Sequence, residues 1–279
     1  MKQFVLELLF QLMGVTATSG IIYNNQELHL ISDESQYFYH YDIESKQLNK
    51  TPLTIDGLAS EKMNKAAKPD YESITSDGVN FYIFGSGSKP NRNELIEVNR
   101  TTKEVISTQD LSILYSSMRS FAQLSEEDFN IEGVILDGNI WYFFNRGNGP
   151  KQANGIFVVE GESIIDDFRI TYTPIKLPKI NKVQSSFTDA IRVDHKIYFL
   201  ATAEQSNSTY NDGEIKGSLI GRINLKNLKL EKTQIISNTN KFEGLSLYHK
   251  DNSTLEFVLC EDADNQEAPA GIYKLTLKR

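Results

Sequence analysis

The chain has 279 residues, 39% hydrophobic and 24% charged, with a formal net charge of −8. That acidic balance argues against a nucleic-acid partner, which needs clustered Lys and Arg. No apolar stretch approaches the ~20 residues of a membrane span, and the lone Cys260 excludes an internal disulfide framework. Cys260 falls in the apolar run Leu255–Cys260 and reads as a small core residue.

In chain order, the first signal is a strand over Gln3–Leu12. Its central Glu7 and the lack of a small-residue cleavage site make it a poor signal peptide, so a cytoplasmic location is expected. Ser19–Tyr23, Leu28–Ser32, Tyr37–Ile43 and Leu48–Leu53 then read as four successive strands. Ser60–Asp70 is a Lys-rich surface connection. A second set follows: Glu72–Thr75, the turn Ser76-Asp77-Gly78, Phe81–Phe84, the loop Gly85–Arg92, Glu94–Val98 and Glu104–Gln109. Ser112–Phe129 has partly helical spacing and reads as an insertion carrying one short helix. The third set is Glu132–Leu136, Ile140–Phe144, the loop Asn145–Pro150 and Gly155–Val159. In the fourth, Asp189–Val193 and Ile197–Ala201 precede a long polar loop, Thr202–Lys216, and then Ser218–Leu225. The last supplies Gly244–Tyr248, Leu255–Cys260 and Gly271–Leu277.

One motif opens every set. Ser19-Gly20-Ile21, Glu72-Ser73-Ile74, Glu132-Gly133-Val134, Asp189-Ala190-Ile191 and Glu243-Gly244-Leu245 are separated by 53, 60, 57 and 54 residues, by subtraction of their numbers. A period near 50 with four strands per copy predicts an all-β fold, a five-bladed β-propeller of four-stranded antiparallel blades. A single domain over 1–279 is expected, with blades at about 19–54, 71–109, 131–178, 188–236 and 242–279. The last copy lacks an outer strand, and residues 3–12 are predicted to supply it.

In a propeller the first strand of each blade lines the channel, so the motif residues Ser19, Glu72, Glu132, Asp189 and Glu243 should converge at one mouth. Adjacent carboxylates repel unless a cation, a proton or water relieves them. An all-oxygen ring suits Ca²⁺ better than Mg²⁺, and without His or Cys it does not suit zinc. Four formal negatives exceed one dication: a carboxyl is protonated, some reach the metal through water, or basic residues such as Arg92 and Arg146 compensate. The loops Asp33–Gln36, Gly85–Arg92, Asn145–Pro150, Thr202–Lys216 and Glu261–Pro269 should surround the same mouth. There Ser86, Ser88, Arg92, Asn145 and Arg146 are candidates for holding a small anionic molecule, or a protein surface. A monomer is expected.

With these residues in view, the ring resembles that of the calcium-activated nucleotidase (apyrase) family, which implies one Ca²⁺ in the channel and hydrolysis of nucleoside diphosphates. That pattern has Ser in the fourth blade, where this chain has Asp189. The Glu-Gly pairs at Glu132 and Glu243 also resemble phytase-like esterase and gluconolactonase-type propellers. Phe84-Gly85-Ser86-Gly87-Ser88 with Arg92, and Asn145-Arg146-Gly147-Asn148, are similar to an uncharacterised bacterial family of phytase-like propellers. Two functional readings follow. One is a ligand-binding propeller with a central divalent cation. The other is a Ca²⁺-dependent hydrolase of a phosphorylated, ester or lactone small molecule, in which Glu132 or Asp189 serves as general base.

Overall fold

The computed structural model describes residues 4–206, 213–263 and 268–279. Strand β1 (Phe4–Leu12) precedes blade one, formed by β2 (Thr18–Asn24), β3 (Glu27–Ser32), β4 (Tyr37–Asp42) and β5 (Gln47–Pro52). Blade two comprises β6 (Tyr71–Ser76), β7 (Asn80–Gly85), β8 (Glu94–Asn99) and β9 (Val105–Asp110). After helix α1 (Ser112–Ala122), blade three is β10 (Ile131–Asp137), β11 (Ile140–Asn145), β12 (Gly155–Ser163) and β13 (Asp167–Pro174). Blade four has a short extra strand β14 (Lys179–Ile180) beside β15 (Val183–Val193), β16 (Lys196–Gln205), β17 (Glu214–Asn224) and β18 (Leu230–Ser237). Blade five takes β19 (Phe242–Lys250), β20 (Thr254–Glu261) and β21 (Ala270–Lys278), and β1 completes it.

These five antiparallel sheets form a five-bladed propeller. The ring closes as the sequence suggests. β1 runs antiparallel to β21, from Phe4 opposite Leu277 to Leu12 opposite Ala270, so the outer edge of the last blade is paired. Alternation along each strand sends successive side chains to opposite faces of the blade, so each interface between neighbouring blades acquires its own apolar filling. Leu28 and Leu30 pack toward blade five with Val258 and Ile272, whereas Ile31 and Phe38 pack toward blade two with Phe81 and Ile83. Cys260 is buried in the first of these clusters, as expected of a core thiol.

Two local expectations are corrected, and a third, the helical insertion, holds. The described part of the polar stretch Thr202–Lys216 is mostly strand: β16 continues to Gln205 and β17 begins at Glu214, while residues 207–212 of that loop, like 264–267 of the Glu261–Pro269 loop, lie outside the described residues. Ser60–Asp70 is not all surface, because its end, with Lys68 partly buried and Asp70 buried, turns into the channel mouth. The insertion before blade three is a helix packed on the ring: Leu114, Tyr115 and Met118 are buried, and the Tyr115 hydroxyl donates to the Gly85 carbonyl at 2.8 Å. Among the described residues no helix is long and apolar enough to cross a membrane.

Candidate functional site at the channel mouth

Each inner strand carries a bulge, at the second residue in four of the five blades. In β2, β6, β10 and β19 the register with the next strand skips one residue, and the residue skipped is Ser19, Glu72, Glu132 and Glu243 in turn. A bulge frees a residue from the ladder and re-aims its side chain, which is how the fold presents one polar group per blade. In β15 the residue skipped is Thr188, not Asp189. The hydrogen bonds agree. Ser19 Oγ donates to the carbonyl of Tyr71, the residue before the next blade's bulge, and Thr188 Oγ1 donates to the corresponding carbonyl of Phe242 at 2.7 Å. The ring by structural equivalence is therefore Ser19, Glu72, Glu132, Thr188 and Glu243, which corrects the placement of Asp189 in it.

Asp189 instead occupies the position taken by Gly20, Ser73, Gly133 and Gly244 in the other blades. That position is tight, because a Cβ on Gly244 would stand 2.9 Å from the Ile21 amide nitrogen of the adjoining blade and against Cys260 Sγ. Asp189 uses the same proximity. Its Oδ2 accepts the Leu245 amide of blade five at 2.7 Å, and its Oδ1 accepts the Ala190 amide at 2.7 Å. It joins two inner strands through backbone donors.

A second layer of polar residues lies beyond the bulges, toward the loops. Paired through backbone bonds are Ala17 with Asp33, Asp70 with Ser86, Asn130 with Arg146, and Lys241 with Asp262. This layer supplies the bases that sequence reasoning left only partly assigned. Arg146 Nη1 lies 3.1 Å from Glu132 Oε1 and 3.4 Å from Glu243 Oε1, and its Nη2 lies 2.6 Å from Glu204 Oε2. Lys241 Nζ bridges Glu243 at 3.0 Å and Asp262 at 2.7 Å. Lys68 Nζ pairs with Asp33 and, at 2.9 Å, with Asp70. Compensation by basic residues is thus built into the mouth, and the carboxyl groups still outnumber the bases.

What the bases leave uncovered is localised. Glu132 Oε2 and Asp33 Oδ1 are buried with no hydrogen-bond partner, and among the described residues no hydrogen bond reaches the Glu72 carboxylate. One oxygen each from Asp33, Asp70 and Glu72 lie within 4.8 Å of one another. Burial pushes the Glu132 carboxyl up to about 7 despite the pull of Arg146. It holds Glu72 well above the usual carboxylate range, with the charges of Glu132 and Asp70 adding to the effect. Glu243 and Asp189 are raised for the same first reason, and Asp33 is raised to about 6. Asp70 moves the other way, because Lys68 and Arg92 outweigh its burial.

The remaining candidates take inward positions. Arg92 is buried, and its Nη1 donates to Asp70 Oδ2 at 2.7 Å and to Ser88 Oγ at 2.8 Å. Ser86 Oγ donates to the same Asp70 oxygen at 2.5 Å. This trio holds Asp70. Asn145 ties its own loop, donating to the carbonyls of Asp128 and Ala153 at 3.0 and 2.8 Å and accepting the Asn130 amide. Sequence reasoning placed the loops of Asp33, Glu204 and Asp262 at the mouth without singling these residues out, and it missed Lys68, Asp70, Thr188 and Lys241 there. For Asp70 and Lys241 a signal exists: each is a polar residue two positions before a bulge, as Asn130 is in blade three.

Comparison with known proteins supports the fold and names the family. Glutaminyl cyclase of Myxococcus xanthus superposes with a TM-score of 0.56 at 10% identity, covering 99% of this chain and 98% of that one. The allergen Mala s 1 of Malassezia sympodialis gives 0.53 at 9%, covering 100% and 96%, and a luciferin-regenerating enzyme gives 0.50 at 9%, covering 98% and 95%. At such identities the likeness is one of fold alone. No curated protein matches the sequence. Neither the family match nor these structures confirms the apyrase or phytase-like resemblance. A model described as "Family of unknown function (DUF6929)" matches residues 14–277, and the chain belongs to that family.

Proposed function

We propose that the protein is a ligand-binding propeller that holds a divalent cation, Ca²⁺ by the character of its donors, at the channel mouth. The observation that carries this reading is the pair of uncovered carboxyl groups on adjacent blades, Glu132 Oε2 and the Glu72 carboxylate. Buried carboxylates without donors are costly unless protonated or met by a cation. The hydroxyls of the ring suit the same task. Ser19 and Thr188 each commit their only hydrogen to a backbone carbonyl, so each oxygen has only acceptor capacity left. Hard oxygen donors from several blades match the flexible, high coordination number of Ca²⁺. Arg146 and Lys241 would keep their carboxylate partners and set the charge of the site.

The test is thermal unfolding of chelator-treated protein with added Ca²⁺ or Mg²⁺. A cation that binds only the folded state raises the midpoint with concentration. The rise is expected for Ca²⁺ and expected to vanish in Glu72→Gln and Glu132→Gln. A wild type whose midpoint ignores both cations would refute the reading.

One observation favours a second reading, the cation-dependent hydrolase. A polar cavity of about 380 Å³ opens beside the mouth, lined by Asn148, Ser186 and Glu204, with Lys179 and Lys182 at its edge. It has the size and charge for a small phosphorylated or carboxylated substrate. Turnover of sugar phosphates, nucleotides or lactones that requires Ca²⁺ and is lost in Glu132→Gln would support it, and inertness toward all three with the cation bound would remove it.

A further inference from the structure

We propose a second binding site, for a small amphipathic anion, in the cleft between blades four and five at the end of the propeller opposite the acidic mouth. The cleft has a volume of about 420 Å³, inside the ~300–1,000 Å³ range of small-molecule sites. It lies where β15 ends and β16 begins, against the end of β21, whereas the mouth is formed where the inner strands start. Blades diverge outward from the axis. The apolar cluster of Leu200, Leu245, Phe257 and Leu275 fills the inner part of this interface, and the cleft opens beyond it, floored by Tyr198, Ile220, Leu255 and Leu277.

The charge of the lining decides the class of ligand. The whole chain carries −8, yet this cleft is lined by Lys196, Arg222, Lys232, Lys278 and Arg279 with Asp194 as its one side-chain carboxylate. Internal pairing consumes part of that charge: Lys196 and Arg222 share Glu231, and Arg279 lies 3.6 Å from Asp194. Lys278 has no ion-pair partner among the described residues. Two cations on one carboxylate and a further lysine unpaired leave the cleft positive over an apolar floor. A carboxylate or sulfonate head with an aliphatic or aromatic body meets both features, because the head finds Arg and Lys donors and the body displaces water from the floor.

The test uses the full chain and calorimetric titration with sodium decanoate, sodium hexanoate and decyltrimethylammonium, all below their micellar concentrations. Decanoate is expected to bind. Hexanoate should be weaker by about fourfold per methylene removed, and decyltrimethylammonium, with the same tail and opposite charge, at least tenfold weaker. The charge reversals Lys232→Glu and Lys278→Glu together should weaken decanoate at least tenfold while the chain stays folded by circular dichroism. Glu132→Gln should leave it unchanged, which separates this site from the mouth. Absence of decanoate binding, equal binding of the cationic analogue, indifference to the double reversal, or loss in Glu132→Gln would each overturn the proposal.

Discussion

Arg146 and Glu132 form an ion pair that is only half complete: Nη1 meets Oε1 at 3.1 Å while the other carboxylate oxygen, equally buried, meets no donor. The same guanidinium is shared with Glu243 and Glu204, so one base holds three acids. Replacing it by methionine removes a buried cation from all three, leaving Lys241 on Glu243 and amide donors on Glu132 and Glu204. Arg146→Met is expected to lower stability at pH 8 by roughly 3–5 kcal/mol, the usual cost of breaking a buried pair from one side. The loss should shrink at pH 5, below the raised value of about 7 at Glu132, where that carboxyl is protonated. Urea unfolding at both pH values measures it, and equal losses would contradict the charge network.

The raised carboxyl of Glu132 makes stability depend on pH with a definite sign. Its folded value of about 7 lies above the ordinary 4.5, so between those values the folded chain keeps a proton that the unfolded chain has lost. Stability from this group is full below about 4.5, falls as pH rises to about 7, and is flat beyond. Glu132→Gln removes that slope. The unfolding midpoint of the variant relative to the wild type should therefore rise across this window, and a constant difference would count against the assignment.

Thr188 and Asp189 are adjacent, and the structure gives them different work. Thr188→Val removes a ring oxygen and should weaken Ca²⁺ binding by about tenfold, the worth of one good polar contact. Asp189→Asn leaves the ring intact but replaces a carboxylate that accepts two backbone amides. Its expected effect is a stability loss of about 1–3 kcal/mol, with cation affinity preserved. Calorimetry and denaturant unfolding on the two variants separate the roles, and the reverse pattern would restore Asp189 to the ring.

The same pair shows where sequence reasoning reached its limit. The blades, the closure by residues 4–12 and the positions of Ser19, Glu72, Glu132 and Glu243 were legible, because period-2 alternation and a repeat near 50 residues survive in the sequence. The fourth blade was misread by one residue because a bulge inserts a residue without leaving a mark in the pattern, and Asp189 resembles an acidic ring member more than Thr188 does. The counter-charges were only half legible. Arg146 and Arg92 stood out in loops, but Lys68 and Lys241 reach the mouth only through the backbone course around Asp70 and Glu243. Which acid each base meets is a property of the packed ring.

Closure carries its own test. Removing residues 1–12 would leave β21 an unpaired edge and uncover the apolar neighbours of Phe4 and Leu6, among them Leu275. The truncated chain is expected to aggregate or pair edge to edge, seen as loss of the monomer-sized peak in size-exclusion chromatography. A truncated chain that stays monomeric with an unchanged melting temperature would show that β1 adds little.

Calorimetric titration of chelator-treated protein with Ca²⁺, run beside Glu72→Gln, Glu132→Gln and Glu243→Gln, is the deciding measurement. The expected result is one site per chain for Ca²⁺, weaker or absent for Mg²⁺, and lost in Glu72→Gln and Glu132→Gln, whose uncovered oxygens define it. A folded wild type that takes up no Ca²⁺, or binding that survives both substitutions, would contradict the account.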